Sequence, residues 1–154
     1  MTELEGIRDQ LRRAFRGDAW HGQSLQELLQ GVSARRAMSR PIADGHTIWE
    51  LVLHITAWTD IPRRRMEGDP VADPSVEQDW PPVTASDEPN WQATTQKLQL
   101  AHDQLQEALA RFPETRLSET VPGRNHSFFV TLHGVVQHGL YHAGQIAMLK
   151  KAKA

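Results

Sequence analysis

The sequence predicts an all-α protein, an up-and-down four-helix bundle with a long crossover loop between its second and third main helices. Three observations carry that expectation. Apolar residues recur at helical spacing in four long stretches, no stretch of comparable length alternates as a strand does, and a proline-rich interruption separates the second stretch from the third. At 154 residues the chain suits one domain, residues 1–154, with a core of its own, and is short for two.

The first expected helix covers residues 4–15, with Leu4, Ile7, Leu11 and Phe15 in one stripe, and breaks at Gly17. A shorter piece at 24–31 carries Leu25, Leu28 and Leu29 and is placed across the bundle, and residues 33–39 read as one or two turns ended by Pro41. The second main helix starts near Asp44 or His46 and runs to Met66, facing the core with Ile48, Leu51, Val52, Ile55 and Trp58. Pro62 falls inside it, removes one backbone hydrogen bond and is expected to bend the helix or restart it.

Residues 68–90 hold five prolines and six acidic residues with almost no periodicity, and read as a long loop. Loops of that length are functional covers or disordered, and Trp80, between Asp79 and Pro81, is an anchor that can fold this one back onto the body. The third main helix begins after Ser86, tolerates Pro89 in its first turn and has the clearest stripe of the chain, from Trp91 through Leu98 and Leu105 to Phe112. Pro113 stops it. A second loop at 114–125 leads to the fourth helix, from about Ser127 to Lys150, with Leu132, Val135, Gly139, Ala143 and Ile146 along one side.

Charge and composition narrow the function. A formal charge of −2, with Lys and Arg scattered among Asp and Glu, argues against nucleic acid or an anionic membrane as a partner. No stretch is apolar enough to span a bilayer, and the N-terminal MTELEGIRDQLRRAFRG lacks the apolar centre of a secretory signal, so a cytoplasmic protein is expected. The chain has no cysteine, which excludes disulfides, a thiolate nucleophile and thiolate metal ligands from the protein itself. Any metal must be held by nitrogen and oxygen.

Among the eight histidines, His138 and His142 stand four apart on the fourth helix, so both imidazoles can reach one ion. Spacing alone fits inert, solvent-exposed rings as well. Position adds to it: the pair lies at the edge of the apolar stripe, and His54 lies at the same kind of edge on the second helix, between Leu51 and Trp58. Polar rings gathered where two helices pack are costly unless something satisfies them, and a divalent ion does so. His102 is on the apolar face of the third helix, where a hydrogen-bonded core histidine is preferred to a fourth ligand. His133 faces away, and His21, His46 and His126 fall in loops or near helix starts. A three-histidine site leaves a coordination position for water or substrate, as catalytic sites do. Zinc and nickel suit imidazole best, while iron or manganese would need further oxygen ligands.

HTIWELVLHITAW (46–58) together with HGLYHAGQIAMLK (138–150) resembles the paired motifs of the DinB-like superfamily, in particular its YfiT-like branch, with YHAGQI the most specific string. The resemblance extends over nearly the whole chain, including the long loop with its tryptophan–proline element. It implies a four-helix bundle holding a divalent metal through His54, His138 and His142. The family includes enzymes that move low-molecular-weight thiols, such as bacillithiol transferases and mycothiol-dependent maleylpyruvate isomerases, and members described as metal-dependent hydrolases.

The favoured expectation is a metal-dependent enzyme acting on a small molecule, with Trp49, Trp58 and Trp80 lining the site. As a thiol S-transferase it would draw its nucleophile from an external low-molecular-weight thiol; as a hydrolase it would activate water, with a carboxylate or Gln145 handling protons. Glu50, one turn before His54, is a candidate base or outer support and equally a solvated surface glutamate. A non-catalytic metal-binding stress-response protein is the alternative from another class. A homodimer is expected by analogy with such bundles.

Overall fold

The computed structural model describes residues 1–69 and 74–152, and its regular structure is helical. Among the described residues there are seven α-helices: α1 (Glu3–Arg16), α2 (Leu25–Leu29), α3 (Ala34–Met38), α4 (Ile48–Met66), α5 (Val76–Asp79), α6 (Glu88–Arg111) and α7 (Phe128–Lys151), with a 3-10 turn at Glu114–Ser118. The β pairing among them is an isolated bridge between Thr120 and Ser127. No helix among these residues is long and apolar enough to cross a membrane.

The helix starts are written locally. Thr2 with Glu5, Ser24 with Glu27, Thr47 with Glu50, and Ser75 with Gln78 form capping boxes, each joining a side-chain oxygen and a backbone N–H reciprocally across the first turn. Asp87 caps α6, whose first turn accepts Pro89, and Ser127 caps α7. At its far end α7 is met by Arg36, whose guanidinium donates to the carbonyls of Leu149, Lys150 and Ala152 and so satisfies groups the helix cannot.

Three expectations change. The helix does not restart at Pro62: α4 is one element from Ile48 to Met66, with Ile61, Pro62 and Met66 buried around the missing hydrogen bond. Residues 68–90 are not structureless, because Ser75 and Gln78 close the single turn of α5; residues 70–73 of that stretch lie outside the described residues. The 114–125 loop contains the 3-10 turn.

The long helices pack with α4 against α6 and α7, and with α1 against the same two partners. Their buried side chains fall into two clusters. One gathers Trp49, Leu51, Ile55, Leu98 and Ile146, the other Ile7, Met66, Leu105, Leu132 and Val135. On α7 the boundary falls between Val135 and Ala143, and on α6 between Leu98 and Leu105. His138 and His142 occupy the first interval, His102 the second. A void of about 30 Å³ at this level is bordered by Thr59, His102, Val136, His138 and Gly139.

Candidate metal centre

α4 and α7 bring His54, His138 and His142 together. Their ligand nitrogens all lie within 4.8 Å of one another. His138 Nε2 is 3.0 Å from His54 Nε2 and 3.0 Å from His142 Nε2. Imidazole nitrogens ~2.1 Å from a shared ion stand ~3.0 Å apart at right angles and ~3.4 Å at the tetrahedral angle. The two spacings through His138 match.

Proton placement makes the same point. His54 Nδ1–H donates to the Asp79 backbone carbonyl at 2.6 Å, and His142 Nδ1–H donates to Gln145 Oε1 at 2.6 Å. With the proton on Nδ1, each ring in its neutral form turns a bare Nε2 inward. His138 Nε2 carries at most one proton and can donate to only one of them, so a nitrogen lone pair is left facing another ring nitrogen at the centre. Extra protons are no remedy. Burial above all, then the His142 and His54 rings, pushes His138 down to about 4, and burial lowers His142 as well. A divalent cation satisfies three converging lone pairs at once, and this all-nitrogen donor set fits one.

The crossover stretch closes over the centre. Trp80 stacks on His54 with centroids 3.8 Å apart and planes 4° from parallel, and on His46 at 3.6 Å and 7°. Two rings that parallel and that close to one indole must lie on its opposite faces, so Trp80 is held between two imidazoles. Asp79 engages two residues one turn apart on the same face of α4: its carboxylate accepts the Trp58 indole N–H at 2.6 Å and lies 3.2 Å from His54 Nδ1, beside the carbonyl contact. The anchor expected at Trp80 is in place, and α5 is the turn that aims it.

Other expected residues land elsewhere. Trp49 does not line the site: its indole N–H donates to Thr94 Oγ1 at 3.1 Å and its ring lies 5.1 Å from Trp91, within the α4–α6 interface. Its position one residue after Ile48 turns it toward α6. Glu50 accepts from the Thr47 backbone N–H and from Arg40, and lies 3.5 Å from His46 Nδ1. Burial alone would raise its carboxyl, but Thr47, Arg40 and His46 together hold it below the ordinary carboxylate range. His102 is the core histidine, stacked on Phe15 at 4.1 Å, and burial lowers it. Sequence reasoning missed Asp79 and His46. The SVEQDW string carries a capping signature ahead of Asp79, whereas nothing near His46 announces its stacking.

A cleft of about 440 Å³ opens on the His138 side, walled by Trp58, Pro62, Val130 and Val135, with Arg65 and Arg124 also on its lining. The model of the DinB superfamily matches residues 18–146. The chain belongs to that superfamily. The match takes in His54, His138 and His142 and the crossover between their helices. No curated protein and no solved structure matches the chain.

Proposed function

We propose that this DinB-superfamily protein is a metal-dependent enzyme of the YfiT-like branch that transfers a low-molecular-weight thiol to an electrophilic small molecule. The observation that carries the reading is the convergence of His54, His138 and His142 beside an open cleft. A divalent ion there, zinc or nickel before iron or manganese, supplies Lewis-acid chemistry, drawing the pKa of a thiol or water toward neutrality.

The protein's own residues prepare that centre. Asp79 and Gln145 hold His54 and His142 as the tautomers whose Nε2 points inward. Trp80 lies flat over one face of His54, which is buried, and helps keep water from it. Access is left along His138, whose depressed pKa keeps its ring neutral and its lone pair available at physiological pH. The chain has no cysteine, so a thiol nucleophile comes from outside.

The test has two stages. Protein stripped of metal and reconstituted is assayed for metal content against the His54→Ala, His138→Ala, His142→Ala triple variant. It is then given bacillithiol, mycothiol, glutathione or coenzyme A with a chlorinated aromatic acceptor. Thiol consumption above the triple variant is expected with at least one thiol. Consumption with none, together with turnover of esters or amides by the same preparation, refutes the transferase in favour of a hydrolase.

A further inference from the structure

We propose that the outward face of α7 pairs antiparallel with the same face of a second copy of this chain, which brings the partner's Met148 to the mouth of the cleft beside His138.

From Phe128 to Leu149, α7 carries no Asp, Glu, Lys or Arg. The other long helices carry charge on their solvent sides, with Arg12 and Arg13 on α1, Asp60 and Arg64 on α4, and Lys97 and Glu107 on α6. A long helix with no charged side suits an interior, yet Val130, Tyr141 and Met148 are 53%, 66% and 68% exposed. They belong to one row, Val130, Gly134, Gln137, Tyr141, Gly144 and Met148. Its alternating steps of four and three residues hold it to one side of the helix, as in the seam of a coiled coil. The described fold requires neither glycine of the row. Apart from the helix's own backbone, no described group lies within 4 Å of a Cβ added at Gly134 or Gly144, although glycine weakens a helix interior relative to alanine. Their bareness leaves room for a second backbone.

A two-fold contact requires each copy to offer the other the same surface, and the spacing of this row reads alike in both directions. Antiparallel pairing about Gly139 sets Val130 opposite the partner's Met148, Gly134 opposite the partner's Gly144, and Gln137 opposite the partner's Tyr141. Apolar ends meet, the glycines allow close approach, and an amide faces a phenol hydroxyl. An uncharged surface brings no like charges together, as a charged one would against its own copy. Parallel pairing would gather Lys150 and Lys151 of both copies at one end, whereas antiparallel pairing separates them. With Ile42, Phe129 and Leu140 on its flanks the row covers on the order of 600 Å² per copy, about 1,200 Å² in all, at the lower edge of stable interfaces. Val130 and Gly134 line the cleft beside His138, while Tyr141, Gly144 and Met148 line a second cavity of about 550 Å³ with Ile42 and Gln145. The partner's Met148 therefore comes to the first space and the partner's Val130 to the second, so each copy walls both spaces of the other.

Sedimentation velocity on the full chain between about 1 and 200 µM should show a monomer–dimer equilibrium with a micromolar midpoint. Met148→Glu and Tyr141→Glu each bury a charge in the pairing and should weaken it about tenfold or more. Tyr141 also touches the His142 ring, so if Tyr141→Glu disturbs folding, Met148→Glu decides alone. Gly144→Ala should leave the fold at least as stable in dilute thermal unfolding and still weaken the dimer, a separation that a glycine needed only by the monomer would not give. The chain has no cysteine, so introduced thiols report by themselves. Under mild oxidation, Val130→Cys mixed with Met148→Cys should form a disulfide-linked dimer that neither variant forms alone, since residues 130 and 148 lie about 27 Å apart along the helix. Val130→Cys that links to itself, or a mixture that does not link, overturns the antiparallel register. A chain still monomeric at about 200 µM, or a dimer indifferent to Met148→Glu, overturns the pairing and leaves the face to another protein or to none. None of these measurements uses metal or substrate, so this inference and the catalytic reading stand or fall separately.

Discussion

Acid should loosen the metal-free protein through His138. Its pKa is pushed from 6.5 down to about 4, first by burial and then by the His142 and His54 imidazoles. Between those pH values the unfolded chain binds the proton and the folded chain resists it, so stability rises with pH. The contribution is full above about 6.5 and is lost as pH falls through about 4. At about 1.36 kcal/mol per pH unit the displacement is worth about 3.4 kcal/mol. His138 keeps part of its surface in water, and screening reduces this to about 1.5–2 kcal/mol. Urea unfolding with chelator present, at pH 7 and pH 4, measures the loss in the wild type and in His138→Gln, which cannot titrate. Burial lowers His142 and His102 too, so the wild-type loss includes their share, and the difference between the two proteins isolates His138. The wild type should lose about 1–2 kcal/mol more than the variant. Parallel losses would refute the burial argument, and with it the claim that the centre keeps its lone pairs free.

Replacing either tethered ligand, His54→Ala or His142→Ala, should abolish stoichiometric metal uptake, read by elemental analysis after reconstitution; retained stoichiometry would mean another donor holds the ion. Gln145→Leu removes the acceptor of the His142 Nδ1–H and should weaken metal binding about 10–100-fold in competition with a chelator, with folding intact. Trp80→Ala removes two stacked imidazole contacts and should cost about 1–2 kcal/mol of stability, measured by denaturant unfolding. Trp91→Phe deletes the buried indole N–H that donates to the Val32 carbonyl at 2.6 Å and should cost about 1–2 kcal/mol in the same assay.

The parts of the fold legible in sequence are those set by near neighbours. Capping pairs and stripes lie within a turn or two of each other, so α1, α6 and α7 begin and end close to where periodicity puts them. The convergence of the three histidines was legible for the same reason: two share a helix face, and His54 sits at the matching edge of its partner helix. Asp79 was not, because it reaches His54 across 25 residues of chain and through a backbone carbonyl, which every residue possesses. Trp49 was misplaced because α4 has apolar residues on more than one side, and only packing against α6 decides which side each one serves. Arg65 was hidden among Arg63 and Arg64; the burial that distinguishes it is a property of the folded wall, since its neighbours pair with Asp60, Glu67 and Asp69 near the surface.

The division of the core into two clusters bears on how this scaffold can be altered. Each half packs largely on its own, and the histidines lie in the layer between them, next to a void with room for about one water. Substitutions at Thr59 or Gly139, which belong to neither cluster, would reshape the void beside His138 without repacking either half. A protein engineered there would change what fits beside His138 while keeping its stability, as a tool accepts a new bit in the same chuck.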